Sequence, residues 1–209
     1  MKIVFVHGWG FGPSLWDGVI AHLPDVDVVR ADRGYFGAPE WLAVDGPCLA
    51  VTHSFGAMAL LGDAPQGCRG LLAINGFDRF TAADGHAGVH PRVIDRMIAR
   101  LESDPAAVLR DFHARLGSAV PAGTPDAARL HDDLLAMRDG DRREASAAWR
   151  APLLALDGAD DPLLFPDMRA AQFAAAPYVE RATVAGGHVL PLTHPEICAA
   201  WIERLRVAA

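Results

Sequence analysis

Three side-chain types that together make an acyl-transfer site occur in one chain order: Ser54, an aspartate cluster at 157–161, and His188. A serine hydroxyl is a weak nucleophile until a base takes its proton and an acid orients that base. Ser54 lies where the apolar run Leu49-Ala50-Val51 meets the small-residue run Gly56-Ala57-Met58-Ala59. That junction reads as a strand turning sharply into a helix, which lifts one side chain clear and aims a helix N-terminus at what it attacks. The usual form of the turn is G-x-S-x-G. Here Gly56 is present, but Thr52 stands where the earlier glycine belongs, so the geometry of the turn is in question.

The base is expected to be His188, which follows the final strand in the loop Ala185-Gly186-Gly187. His194 is its rival, although Pro195 after it marks the start of a helix, and His53 is expected to pack or bind water. For the acid, Asp157, Asp160 and Asp161 compete. In the loop pattern G-x-x-D-P, read as Gly158-Ala159-Asp160-Asp161-Pro162, the fourth position faces the histidine, which favours Asp161. Upstream, His7-Gly8-Trp9-Gly10-Phe11-Gly12 is dense enough in glycine to turn backbone N–H groups toward a ligand. The Trp9 N–H is the candidate donor to an oxyanion.

These residues need a scaffold, and the apolar runs supply one. Short buried strands are expected at 3–6, 26–31, 47–51, 70–74, 152–156 and 179–184. Helices are expected at 15–23 with Ser14 as cap, at 40–44, from 55 to about 61, at 168–175 and from about 195 to 207. Alternation of this kind implies right-handed βαβ units and a mainly parallel sheet with flanking helices. The alternation breaks between 77 and 149, where helical stretches are separated by turn signals at Ser103-Asp104-Pro105, Pro121 to Pro125 and Arg138 to Asp141. Val93, Met97 and Leu101 share one apolar face there. The expected organisation is therefore a core of residues 1–76 and 150–209 with a helical cap inserted at 77–149.

A chain of 209 residues with 51% apolar and 22% charged residues has the composition of one globular domain. A net charge of −7 argues against a general nucleic-acid binder. Cys48, Cys68 and Cys198 show no metal-ligand spacing and read as reduced thiols, which points to the cytoplasm. No metal or cofactor is expected. The opening apolar run is too short for a signal core, and no run is long enough to span a membrane.

The chain resembles the α/β-hydrolase superfamily and, more narrowly, the pimeloyl-acyl-carrier-protein methyl ester esterases of biotin synthesis. The resemblance rests on His7-Gly8-Trp9-Gly10 with Trp16, on His53-Ser54-Phe55-Gly56, on Gly158-Ala159-Asp160-Asp161, and on Gly187-His188 followed by Thr193-His194-Pro195-Glu196. Arg96 to Leu116 is similar to those esterases' cap. The resemblance implies Ser54 as nucleophile, His188 as base, Asp161 as orienting acid, and the Trp9 and Phe55 N–H groups as oxyanion donors. Beside larger relatives, the chain is expected to lack their leading antiparallel hairpin. The family holds an acidic carrier protein with cap arginines, which makes Arg92, Arg96 and Arg100, spaced every four residues on one helix face, the docking candidates. The substrate implied is a small ester, the methyl ester of a pimeloyl carrier. A broad small-ester carboxylesterase, an acyl thioesterase and a non-catalytic ligand-binding fold share these motifs.

Overall fold

The computed structural model describes residues 1–41 and 43–209. Its six strands are β1 (Lys2–Val6), β2 (Val28–Ala31), β3 (Cys48–His53), β4 (Cys68–Ile74), β5 (Leu153–Gly158) and β6 (Val179–Val184). They form one sheet in the order β2-β1-β3-β4-β5-β6, with every neighbouring pair parallel. β3 and β5 are buried along their whole length, whereas the edge strands β2 and β6 are mostly half-exposed. Central strands covered on both faces read as unbroken apolar runs for that reason.

Alternate residues of each strand serve opposite faces. Ile3, Phe5, Leu49, Val51, Leu72 and Leu154 pack under α1 (Asp17–Ala21), α8 (Leu190–Thr193) and α9 (Pro195–Ala208). The intervening Val4, Ala50, Leu71 and Ala155 pack against α2 (Phe55–Gly62) on the other side. A short helix α7 (Pro166–Ala171) lies between β5 and β6. The chain runs from β1 outward to β2, then crosses back to place β3 on the other side of β1. This reversal opens a crevice beyond the carboxyl ends of β1 and β3. Residues 7–13 and Ser54 lie there.

Between β4 and β5, residues 77–90 carry isolated bridges and are followed by α3 (Pro91–Leu101), α4 (Pro105–Leu116), α5 (Ala127–Asp139) and α6 (Arg143–Ala148). Of the turn signals, the first supplies a cap in Asp104, and two further caps, Asp126 and Gly117, lie outside them. Asp104 accepts from the Ala107 N–H at 2.8 Å, Asp126 from the Arg129 N–H at 3.1 Å, and Gly117 ends α4 in the left-handed conformation. Among the described residues, no helix is long and apolar enough to cross a membrane.

Three local expectations are corrected. Ser14 is not a cap but lies inside a 3₁₀ turn, Pro13–Trp16, which leads into α1. The helix expected at 40–44 is absent from the described residues, because Glu40 exchanges backbone hydrogen bonds with Asp32 in an isolated bridge at 2.7 and 2.8 Å; Leu42 lies outside the described residues. On α3 the buried side chains are Ile94, Ile98 and Leu101, while Val93 and Met97 are half-buried and line a cavity. The helix has an apolar face toward its neighbours and another toward that cavity.

Candidate active site

Ser54 joins β3 to α2 with φ 53° and ψ −126°, a conformation that costs a non-glycine residue about 1–3 kcal/mol. Its N–H bonds to the Ile74 carbonyl at 3.0 Å, which fastens the turn to β4. The glycines about it are steric necessities. A Cβ on Gly56 would lie 2.4 Å from the Val6 carbonyl oxygen, and one on Gly8 would lie 2.9 Å from Ser54 Cβ. Thr52 fits where the motif has glycine: its hydroxyl donates to the Leu72 carbonyl at 3.3 Å, and its neighbour across on β4 is the small Ala73.

The structure brings Ser54, His188 and Asp161 into one hydrogen-bonded series. Asp161 Oδ2 accepts from His188 Nδ1 at 2.7 Å, and His188 Nε2 lies 2.9 Å from Ser54 Oγ. Because an ionised carboxylate can only accept, the ring proton sits on Nδ1 and leaves Nε2 free to take the serine proton. Asp161 also accepts from the Leu163 and Leu164 N–H groups at 2.7 and 3.0 Å and from Asn75 Nδ2 at 2.7 Å. Burial pushes this carboxyl up, but the charge and hydrogen bond of His188 and the two loop amides outweigh it and hold it below the ordinary carboxylate range. The rivals go elsewhere. Asp160 is exposed, and Asp157, buried at the end of β5, is pushed up to about 6 by burial against the pull of Arg169. His194 opens α9 and bonds to Thr193 Oγ1 at 2.9 Å.

Around this series lie side chains whose hydrogen-bond partners the sequence did not reveal. His53 is buried, and its Nε2 donates to the His188 carbonyl at 2.9 Å, so it packs beneath the base and anchors its backbone. Burial, reinforced by His188, pushes His53 down to about 3, and the ring stays neutral. The loop after β1 is held from above by the inserted helices. Trp9 Nε1 donates to the Leu130 carbonyl of α5 at 2.9 Å, and His113 Nε2 of α4 donates to the Gly10 carbonyl at 2.8 Å. Trp9 lies in that loop and Phe55 is the first residue of α2. Among the described residues neither N–H is claimed by a protein acceptor, and for Phe55 this follows from its place in the first helical turn.

Ser54 opens on a cavity of about 550 Å³ between the sheet and the insertion, walled by Trp9, Phe77, Phe80, Val93, Met97, Phe112 and Leu134. Its exposed polar lining comprises His90, Arg96, Arg100, Asp111 and Arg115. Of the three docking candidates, Arg96 and Arg100 reach this cavity and Arg92 does not; Arg92 and Arg96 border a shallow surface groove. Arg100 is paired with Asp111 at 2.6 Å, whereas among the described residues Arg92 and Arg96 have no acidic partner. Among the described residues, no group of three or more His, Cys, Asp or Glu side chains could hold a metal ion.

A second polar cluster ties the loop after β2 to α5 of the insertion. Arg33, in the loop after β2, forms a two-point ion pair with Asp133 of α5, and Tyr35 donates to the same carboxylate at 2.5 Å. Its guanidinium lies 5.1 Å from the centre of the Phe55 ring. Residues 100 apart in sequence, one in a glycine-rich loop and one in mid-helix, carry no spacing signal for such a pair.

No family model matches the chain. A pimeloyl-[acyl-carrier protein] methyl ester esterase from Aromatoleum aromaticum is 28% identical to it, over 96% of each chain. Among solved structures, an esterase from Exiguobacterium antarcticum superposes with a TM-score of 0.84 over 99% of this chain and 92% of its own, at 15% identity. A bromoperoxidase from Bacillus anthracis superposes with a TM-score of 0.82 over 98% and 91%, at 16% identity. The fold is that of the α/β-hydrolases. Ser54, Asp161 and His188 stand just beyond the carboxyl ends of β3, β5 and β6, so one edge of a rigid sheet supplies all three.

Proposed function

We propose that the protein is a serine carboxylic-ester hydrolase that cleaves the methyl ester of a pimeloyl-acyl-carrier protein in biotin synthesis. The observation that carries the hydrolase reading is the Ser54–His188–Asp161 series, hydrogen-bonded at 2.9 and 2.7 Å, with Ser54 at its head opening on one cavity. Ser54 Oγ attacks the ester carbonyl carbon and His188 Nε2 takes its proton, with Asp161 stabilising the imidazolium. The Trp9 and Phe55 N–H groups hold the tetrahedral oxyanion, a contribution of about 3 kcal/mol per donor. Collapse expels methanol, which leaves with the proton from His188. Water then gives a proton to the same histidine, attacks the acyl-serine, and releases the carboxylic acid with Ser54 restored.

Three observations support the narrower substrate. The relative at 28% identity carries that name, the cavity walls suit an aliphatic acyl chain, and exposed arginines stand at its edge. Residues 77–149 act as the cap and 1–76 with 150–209 as the catalytic core. Arg92, Arg96 and Arg100 receive the acidic carrier protein, with Arg96 foremost because Arg100 is shared with Asp111. Free Cys48, Cys68 and Cys198 favour a cytoplasmic setting.

The test presents methyl-pimeloyl carrier protein, a short chromogenic ester and an acyl thioester to the enzyme, with products read by mass spectrometry. The expected result is cleavage of the methyl ester with the carrier thioester left intact. Arg96→Glu should then cost about tenfold in kcat/KM on the carrier-bound substrate and little on the chromogenic ester. Cleavage of the thioester, or indifference to the carrier, contradicts the narrow reading.

A further inference from the structure

One buried side chain at the site has no part in the steps above. Asn75 directly follows β4, is fully buried, and has φ 47°, a left-handed conformation uncommon for any residue but glycine. Its backbone N–H bonds to the Leu156 carbonyl of β5 at 2.8 Å, which ties the end of one strand to the next. Its Nδ2 donates to Asp161 Oδ2 at 2.7 Å, and that oxygen is the one His188 Nδ1 uses. The amide nitrogen must face the carboxylate, since an amide oxygen there would meet a second acceptor. Asn75 Oδ1 is left buried without a hydrogen-bond partner among the described residues, so the side chain is held by its bond to Asp161 alone.

We propose that Asn75 is a positioning residue for the reaction, completing the hydrogen-bond shell of Asp161 and so fixing the carboxylate and the His188 ring before substrate arrives. This rests on the reading of Ser54, His188 and Asp161 as the catalytic series. An ionised carboxylate offers about four acceptor positions. Here the Leu163 and Leu164 N–H groups occupy Oδ1, while His188 and Asn75 occupy Oδ2. Without Asn75, one face of Oδ2 is unheld, and the carboxyl can turn about its Cβ–Cγ bond and carry the imidazole with it. The amide also draws on the negative charge of Oδ2. Removing it leaves that oxygen more basic and the imidazolium better stabilised, so His188 should hold its proton to higher pH. The other titratable groups about the pair include His53 beneath His188, Asp157 with Arg169 and Arg181 near the end of β5, and Arg115 of α4, which donates to the Pro162 carbonyl beside Asp161 at 2.8 Å. Both variants below leave them in place.

Two substitutions separate conformation from hydrogen bonding. Asn75→Gly adopts φ 47° freely and deletes the amide. Asn75→Asp keeps the volume and tolerates the left-handed backbone, but sets a second carboxyl against Asp161, which must share a proton or repel it. The readouts are kcat and KM across the pH range on a chromogenic ester, per Ser54 titrated with a fluorophosphonate, and the low-field proton resonance of His188 Nδ1–H. For Asn75→Gly we expect kcat lower by about 10- to 100-fold, KM within about twofold, and an acid limb higher by about half a pH unit. For Asn75→Asp we expect a larger kcat loss and an acid limb higher by about one unit. The resonance should move and exchange faster in both.

Wild-type kcat and acid limb in either variant overturn the proposal. So does a loss of activity with both the acid limb and the resonance unmoved, which is what a purely structural role would give. The resonance does not depend on turnover. If the wild type fails to hydrolyse esters but its resonance is altered in both variants, the hydrolase reading falls while the positioning of His188 stands.

Discussion

Asp157 and Asp161 stand four residues apart at one end of the sheet and shift in opposite directions. Asp161 has four donors, one of them the histidine; Asp157 has burial and only distant guanidinium groups. Burial pushes Asp157 from an ordinary 3.8 up to about 6, so between those values the folded chain binds the proton more tightly than the unfolded one. The stabilisation from this group is therefore full below about pH 4 and is lost as the pH rises through 6, an effect of about 3 kcal/mol. Asp157→Asn should raise the unfolding midpoint at pH 8 and leave it little changed at pH 4, as calorimetry can measure. Equal destabilisation at both values would rule this out. At this scale Ser54 and His188 were legible in the sequence, since each follows an expected strand in the order the chemistry needs. Asp161 was legible only through loop register. Asn75 was not, and of His53 only the packing was, because their partners lie 86 and 135 residues away and meet them only when the strands are assembled.

Among the elements, α5 depends on an ion pair outside its own segment. Arg33 and Asp133 have side-chain exposures of 19% and 12%, so each charge needs the other. Burial works against the charged guanidinium, but the Asp133 carboxylate more than offsets it and holds Arg33 above its ordinary range. Burial, with the nearby Asp133 charge, pushes the Tyr35 hydroxyl well up. Asp133→Ala should cost about 3–5 kcal/mol in urea unfolding, because it strands a buried cation. The double change Arg33→Met with Asp133→Leu should cost less than that single one. Leu134 and Met137 of α5 line the cavity, so Asp133→Ala should also raise KM more than it lowers kcat; an unchanged KM would separate this pair from the site. The helices of the insertion were legible through the turn signals between them, of which Asp104-Pro105 caps α4 and satisfies an N–H group locally. The helix expected at 40–44 failed because Glu40 found a non-local partner in Asp32, which local pattern cannot register.

For the whole molecule, the alternation of strands and helices made the parallel sheet legible, and the sheet order then sets the crevice at the β1/β3 reversal. How the insertion sits over that crevice was not legible, since a helix such as α3 shows apolar residues on two faces and the pattern does not say which one meets the cavity. Val93 and Met97 take that face. Met97→Trp should therefore shorten the acyl chain accepted, lowering kcat/KM for an octanoyl ester about tenfold more than for an acetyl ester; a uniform change across chain lengths would place the acyl chain elsewhere. The central claim is that the assembled sheet edge makes Ser54 a nucleophile. It is tested most directly by treating the folded protein with a fluorophosphonate and locating the adduct by peptide mass spectrometry. The expected result is one adduct, on Ser54, absent in Ser54→Ala and formed at least about a hundredfold more slowly in His188→Ala. Folded protein that stays unlabelled at Ser54, or that labels equally fast without His188, would contradict it.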